Sequence, residues 1–227
     1  MARAASARLL APPAGEAASL ADQAYVALRD LIVSLELPPG SAIKEPELTA
    51  RLGIGRTPVR EALRRLALER LVEVYPRRGM FVTTVDVRDL ARLCEVRAVL
   101  EPEAARLAAE RATRPDLEQI GALLEELGEP RRRDDRVLID LDERIHRTIY
   151  RCSHNQLLEE TLDWYYTHAL RIWMLALDRA QGLRDAVLEH HELLDAIARG
   201  NGDRAADLMR AHIEHFEAEM RDALLDA

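Results

Sequence analysis

Residues 45–82 read EPELTARLGIGRTPVREALRRLALERLVEVYPRRGMFV, and this stretch decides the fold of the N-terminal part of the chain. Glu45 to Leu52 has helical spacing and is closed by Gly53, which tolerates the left-handed turn that ends a helix. A second helix is predicted to begin at Thr57-Pro58, with Thr57 as its cap and Pro58 in the first helical position. Val59, Ala62, Leu63, Leu66 and Ala67 form its apolar face. Arg56, Arg60 and Arg64 recur every four residues and so share a different face. Residues 71–75 and 80–84 are β-prone and flank Pro-Arg-Arg-Gly, which predicts a hairpin with a basic tip.

Helix, turn, arginine-studded helix and basic hairpin, in that order, can set one helix in the major groove of DNA with a loop beside it. Arg56 and Thr57 stand at the helix start, where a reading helix meets base edges, and an arginine fork can bond guanine O6 and N7 together. The helix start also attracts phosphate. Arg77 and Arg78 at the tip could reach phosphates or the minor groove, and Gly79 lets the backbone approach closely. A bland reading stands beside this one: Glu61 and Arg65 have the spacing of an i,i+4 surface pair, and Arg64 could be merely solvated.

Charge separates this region from the rest. Residues 1–85 carry 12 basic and 9 acidic side chains, whereas residues 86–227 carry 20 and 31, within a chain of net charge −8. A basic reading element beside an acidic remainder implies two domains with different partners and excludes a general polyanion binder. Leu20 to Leu35 is an amphipathic helix, stopped by Leu-Pro-Pro-Gly at 37–40. From Asp86 the period stays helical, with helices predicted over 86–111, 114–128, 135–152, 155–180, 184–199 and 203–225. Thr113-x-x-Asp116 is a capping-box start, Glu129 to Arg133 a loop, and residues 199–203 a helix stop followed by a cap.

The expected fold is therefore mainly α: a winged helix-turn-helix over 19–84, then an antiparallel bundle of about six helices over 86–227. Residues 1–18 are expected to form a disordered tail. The two cysteines, Cys94 and Cys152, are far apart, which favours free thiols in a reducing compartment. No apolar run reaches the length of a membrane span, so a cytoplasmic protein is expected.

The helical region carries a second constellation. Asp142 and His146 are i,i+4 on one helix, and His190 and His212 lie on two later ones. One carboxylate and three imidazoles can bind a divalent transition metal with positions left open. Helical phase puts His190 centrally on the face of Val187, Leu193, Leu194 and Ile197, with His191 turned away by roughly 100°. Likewise His212 lies closer than His215 to the stripe of Met209, Ile213, Phe216 and Met220. Each inward histidine alone reads equally as a hydrogen-bonded core residue. Arg97 could grip a ligand carboxylate or pair with Glu101 four residues on, and Asn155 could cap a helix.

The run from Leu48 to Leu66, with Leu71-Val72 and residues 76–82, resembles the winged helix-turn-helix of GntR-family bacterial transcription regulators over residues 20–84. The resemblance implies that Arg56, Thr57 and Arg60 touch the operator and that Arg78 and Gly79 enter the minor groove; Arg64 is a candidate DNA contact from its place on the same helix face. Gly55 departs from the serine common before Arg-Thr, and Pro46 stands where some members carry a DNA-contacting arginine. Glu95-Val96-Arg97, Glu101, Ala104-Ala105, Asp142-x3-His146, Asn155, Glu189-His190, Ala196-Ile197, Gly202-Asp203 and Ala211-His212 resemble the FCD effector domain of the FadR-type subfamily over 86–222. Ile145 replaces the aromatic residue usual before the histidine. That resemblance implies Asp142, His146, His190 and His212 as metal ligands, for zinc first and nickel, manganese or iron as alternatives. It points to Arg97 and Asn155 for the effector.

The expected function is a homodimeric, operator-binding repressor controlled by a small organic acid. The alternative is a metal-dependent hydrolase with an appended DNA-binding domain. The sequence has no HExxH or GxSxG motif and no second Glu-x-x-His to complete a di-iron bundle.

Overall fold

The computed structural model describes residues 19–128, 134–177, 179 and 182–225. The predicted tail over 1–18 and the loop over 129–133 lie outside the described residues. The chain divides into two compact units, Met1–Val85 and Asp86–Ala227.

The first unit runs α1 (Leu20–Val33), β1 (Ala42–Ile43), α2 (Glu45–Leu52), α3 (Arg56–Leu68), β2 (Val72–Tyr75) and β3 (Gly79–Val82). Ser19 and Asp22 form a reciprocal capping box at the start of α1. The helix ends two residues before the predicted Leu35. Leu35 takes a left-handed φ of 62°, and the chain turns back so that Leu37 N–H donates to the Leu31 carbonyl. Leu28, Ile32, Leu48, Val59, Leu63, Leu66, Leu71 and Val82 fill the core. Their burial follows the apolar stripes of α1 and α3.

Three local expectations need correction. The cap of α3 is Gly55, not Thr57, and no side chain closes that helix end. Arg65 does not pair with Glu61; it reaches Asp22 at 2.6 Å and lies 4.1 Å above the Tyr25 ring. The packing of α1 on α3 brings those partners closer than the helix surface does. The wing has three strands in the order β1-β3-β2, because Ala42 and Ile43 pair antiparallel with Phe81 and Met80. Two residues are too short for a period-two signal, so β1 is invisible in the sequence. The β2–β3 turn carries Pro76 followed by Arg77 at φ 65°, with Arg78 N–H donating to the Tyr75 carbonyl, as a type II turn requires.

The second unit holds α4 (Val87–Arg111), α5 (Arg114–Gly128), α6 (Asp135–Cys152), α7 (Gln156–Ala176), α8 (Leu183–Ala198) and α9 (Gly202–Leu225). Helix α4 packs along α9 and also touches α6, α7 and α8, so it occupies the middle of the bundle. Asp116 accepts from the Thr113 N–H at 2.8 Å and its hydroxyl at 2.6 Å, as the capping-box reading requires. At α9 the cap is Asn201, within the predicted stop-and-cap segment, and its Oδ1 accepts from Arg204 N–H. Cys94 and Cys152 are free and buried. No helix among the described residues is long and apolar enough to cross a membrane.

Gly53 ends α2 at φ 66°, with open space where a Cβ would stand. Its replacement therefore tests backbone strain alone. Gly53→Ala is expected to lower stability in urea by about 1 kcal/mol. Gly55→Ala, at φ −63°, should stay within about 0.5 kcal/mol of the parent. Equal losses at both positions would contradict the assignment.

Candidate DNA interface and metal centre

Helix α3 buries Val59, Ala62, Leu63 and Leu66 completely and leaves Arg56, Thr57, Arg60 and Arg64 exposed on its opposite side. The uncapped Gly55 end leaves the first amides of α3 available to an anion. Arg78 and Gly79 are exposed on the wing, and Gly79 has φ 95°, a conformation that L side chains rarely adopt.

One member of this surface was missed in the sequence. Glu45, at the start of α2, accepts from Arg60 Nε at 2.6 Å. An exposed pair of this kind contributes about 0–1 kcal/mol. Bidentate guanine recognition discriminates by roughly 1–3 kcal/mol, so Glu45 orients Arg60 without being able to withhold it from a base edge.

In the second unit Asp142 and His146 come from α6, His190 from α8 and His212 from α9. All four are buried, and one ligand atom from each lies within 4.8 Å of all the others. His190 is fully buried while His191 is exposed, and His212 is buried while His215 is exposed. His146 Nε2 stands 3.2 Å from His190 Nε2 and 3.3 Å from His212 Nε2. Asp142 Oδ2 accepts from the Tyr166 hydroxyl at 2.7 Å, whereas its Oδ1 is buried without a hydrogen-bond partner.

The outer nitrogens explain why the inner ones point at each other. His190 Nδ1 lies 3.2 Å from the Val187 carbonyl, which can only accept. His212 Nδ1 lies 3.4 Å from Glu189 Oε2, and His146 Nδ1 lies 3.1 Å from Glu101 Oε2. Acceptors at Nδ1 of His190 and His212 favour the ring proton there and leave Nε2 free to coordinate. His146 Nδ1 is hydrogen-bonded to the Tyr150 hydroxyl at 3.2 Å, with Glu101 Oε2 beside it. Burial, and then the neighbouring His212 and His146, hold the His190 pKa well below its ordinary value, so this ring is neutral. Buried electron-pair donors held this close repel each other unless a cation lies between them. The donor set fits a divalent transition metal with open positions.

Arg97 is buried and pairs with Glu101 through Nε, the intrahelical arrangement its spacing allowed. Its Cζ lies 4.9 Å from the Phe216 ring centre, and Nη1 has no hydrogen-bond partner. Burial opposes the charge on Glu101, but Arg97 and then His146 outweigh it, and its pKa falls to about 2. Asn155 stands outside this constellation. It is exposed, and its Oδ1 accepts from Leu158 N–H at the start of α7, so the side chain is used as a cap rather than aimed at a ligand. Tyr150, Tyr166 and Glu189 were not foreseen as site residues. Glu189 is the chain neighbour of His190, Tyr150 lies four residues after His146 on the same helix, a spacing that could have found it, and Tyr166 carries no such signal.

Comparison with known proteins bears on both units. Residues 20–82 match the family described as bacterial regulatory proteins, gntR family, and residues 92–215 match the FCD domain. The chain is 34% identical over 193 residues to an uncharacterized HTH-type transcriptional regulator in an unstable DNA locus of Streptomyces ambofaciens, covering 83% of this chain and 80% of that one. It is 32% identical over 188 residues to the Nta operon transcriptional regulator of Aminobacter aminovorans, covering 82% and 88%. The solved structure of E. coli McbR/YncC shares the fold, with a TM-score of 0.78 at 24% identity over 91% of this chain and 99% of that one. The chain belongs to the GntR family of bacterial regulatory proteins and joins the family's winged helix-turn-helix to an FCD domain.

Proposed function

We propose that this GntR-family regulator is a cytoplasmic homodimeric repressor that releases a pseudo-palindromic operator when a small organic acid binds its FCD domain. Two-fold symmetry in the protein requires two half-sites in the DNA. Arg56, Thr57, Arg60 and Arg64 would read the major groove of each half-site, and Arg78 with Gly79 would enter the adjacent minor groove. The sensing half of this reading rests on one observation: a ligand atom from each of Asp142, His146, His190 and His212, all buried, lies within 4.8 Å of the other three.

Asp142, His146, His190 and His212 would hold the metal, whose open positions supply Lewis-acid binding of a carboxylate oxygen. Zinc is the first candidate; nickel, manganese and iron accept similar donors. Arg97, with its unpartnered Nη1, would bind the acid's remaining charge. Release requires the acid to bind the DNA-free arrangement more tightly, and a 5- to 150-fold change in operator affinity needs about 1–3 kcal/mol of such preference. The hydrolase alternative finds no support, since the family and the named relatives are transcriptional regulators.

Arg60→Ala is expected to weaken binding to the specific operator by about 1–3 kcal/mol in fluorescence anisotropy, with unchanged circular dichroism. Undiminished affinity would remove Arg60 from the reading face. In the FCD domain, His190→Ala should lower metal content well below that of His191→Ala when both are measured by elemental analysis. The opposite ranking would rule out the buried donor set as the metal site.

A further inference from the structure

Glu101 is wholly buried in α4, is not one of the four converging donors, and nevertheless touches one of them. Its Oε1 accepts from Arg97 Nε, and its Oε2 lies 3.1 Å from His146 Nδ1, a charge contact without an aligned hydrogen bond. The Tyr150 hydroxyl stands 3.2 Å from the same nitrogen. His146 Nδ1 therefore has two neighbours with opposite chemical consequences. A carboxylate can only accept, so it keeps the ring proton on Nδ1 and leaves Nε2 bare. A hydroxyl can also donate, which would move the ring proton to Nε2.

The second outcome changes the centre. A proton on His146 Nε2 would point toward His190 Nε2 at 3.2 Å and His212 Nε2 at 3.3 Å. The cluster would then satisfy itself by hydrogen bonding, and His146 could no longer coordinate. His190 has the Val187 carbonyl and, at 3.7 Å, Asp142 Oδ1 at its Nδ1, and His212 has the Glu189 carboxylate at its own; each is an acceptor. Among the three rings, His146 alone faces a hydroxyl able to reverse its tautomer.

We infer that Glu101 is the positioning residue that sets this tautomer: anchored by Arg97, its carboxylate holds His146 as the Nδ1–H form and so keeps the centre open to a cation. The inference rests on reading Asp142, His146, His190 and His212 as the metal site.

Glu101→Gln keeps the size of the side chain, removes the negative charge beside His146 Nδ1 and offers an amide donor in its place. Because the buried Arg97 charge would then face no anion, Arg97→Met/Glu101→Gln is the companion variant that removes both charges together. Long-range ¹⁵N–¹H spectra of the full metal-free chain, labelled at histidine, report each ring's tautomer. Cobalt(II) titration reports the metal site.

The parent should show His146 as Nδ1–H. Both variants should shift it toward Nε2–H and bind cobalt about 10- to 100-fold more weakly. An unchanged tautomer with parental cobalt affinity in the folded double variant would overturn the role of Glu101 and leave the metal reading intact. If the parent bound no cobalt, the metal reading would fall, while a switched tautomer in the variants would still uphold Glu101 as its determinant.

Discussion

A carboxylate and three imidazoles buried at one point are tolerable only if their outer faces are satisfied. That requirement organises the second unit. The Val187 carbonyl, Glu189 and Glu101 each stand at an Nδ1, and the Tyr166 hydroxyl holds Asp142 Oδ2. Each acceptor sends a lone pair inward. The bundle thereby concentrates electron-pair donors instead of dispersing them, and the apolar packing of α4 against α6, α8 and α9 supports the cost. Arg97 belongs to the same network, because the carboxylate it neutralises is the one beside His146. Arg97 and the His146 ring are therefore joined through a single side chain.

The first unit follows a different rule. Its reading surface is exposed, polar and held by a small apolar core, so specificity rests on where the backbone presents the arginines. Gly55 leaves the α3 end without a side-chain cap, and Glu45 orients Arg60 through an exposed pair. Arg65, on the same helix, is drawn into the α1 interface by Asp22 and Tyr25 and is structural. Adjacent arginines on one helix thus divide between an exposed face and a packed one according to which neighbour lies opposite.

Much of this was legible in local pattern. The 3.6-residue period located every helix, and phase alone separated His190 from His191 and His212 from His215. Errors clustered at ends and in short pieces. Thr57 looked like a cap because threonine often is one, yet the helix starts at Arg56. The last helix starts at Gly202, one residue before the expected 203, with Asn201 as its cap. Asn155 caps α7, as its sequence position allowed.

The sequence by itself determined two folding units, their helices, the arginine face of α3 and the four converging donors. These depend on periodicity, charge and spacing within single elements, which short-range physics writes directly into residue order. Tertiary structure decided the partners: Glu45 for Arg60, Asp22 for Arg65, Tyr166 for Asp142, and both Glu101 and Tyr150 for His146. Most of these meetings depend on how one helix is rotated and set against another. That is fixed by the packing of whole apolar faces, and no spacing along the chain records it.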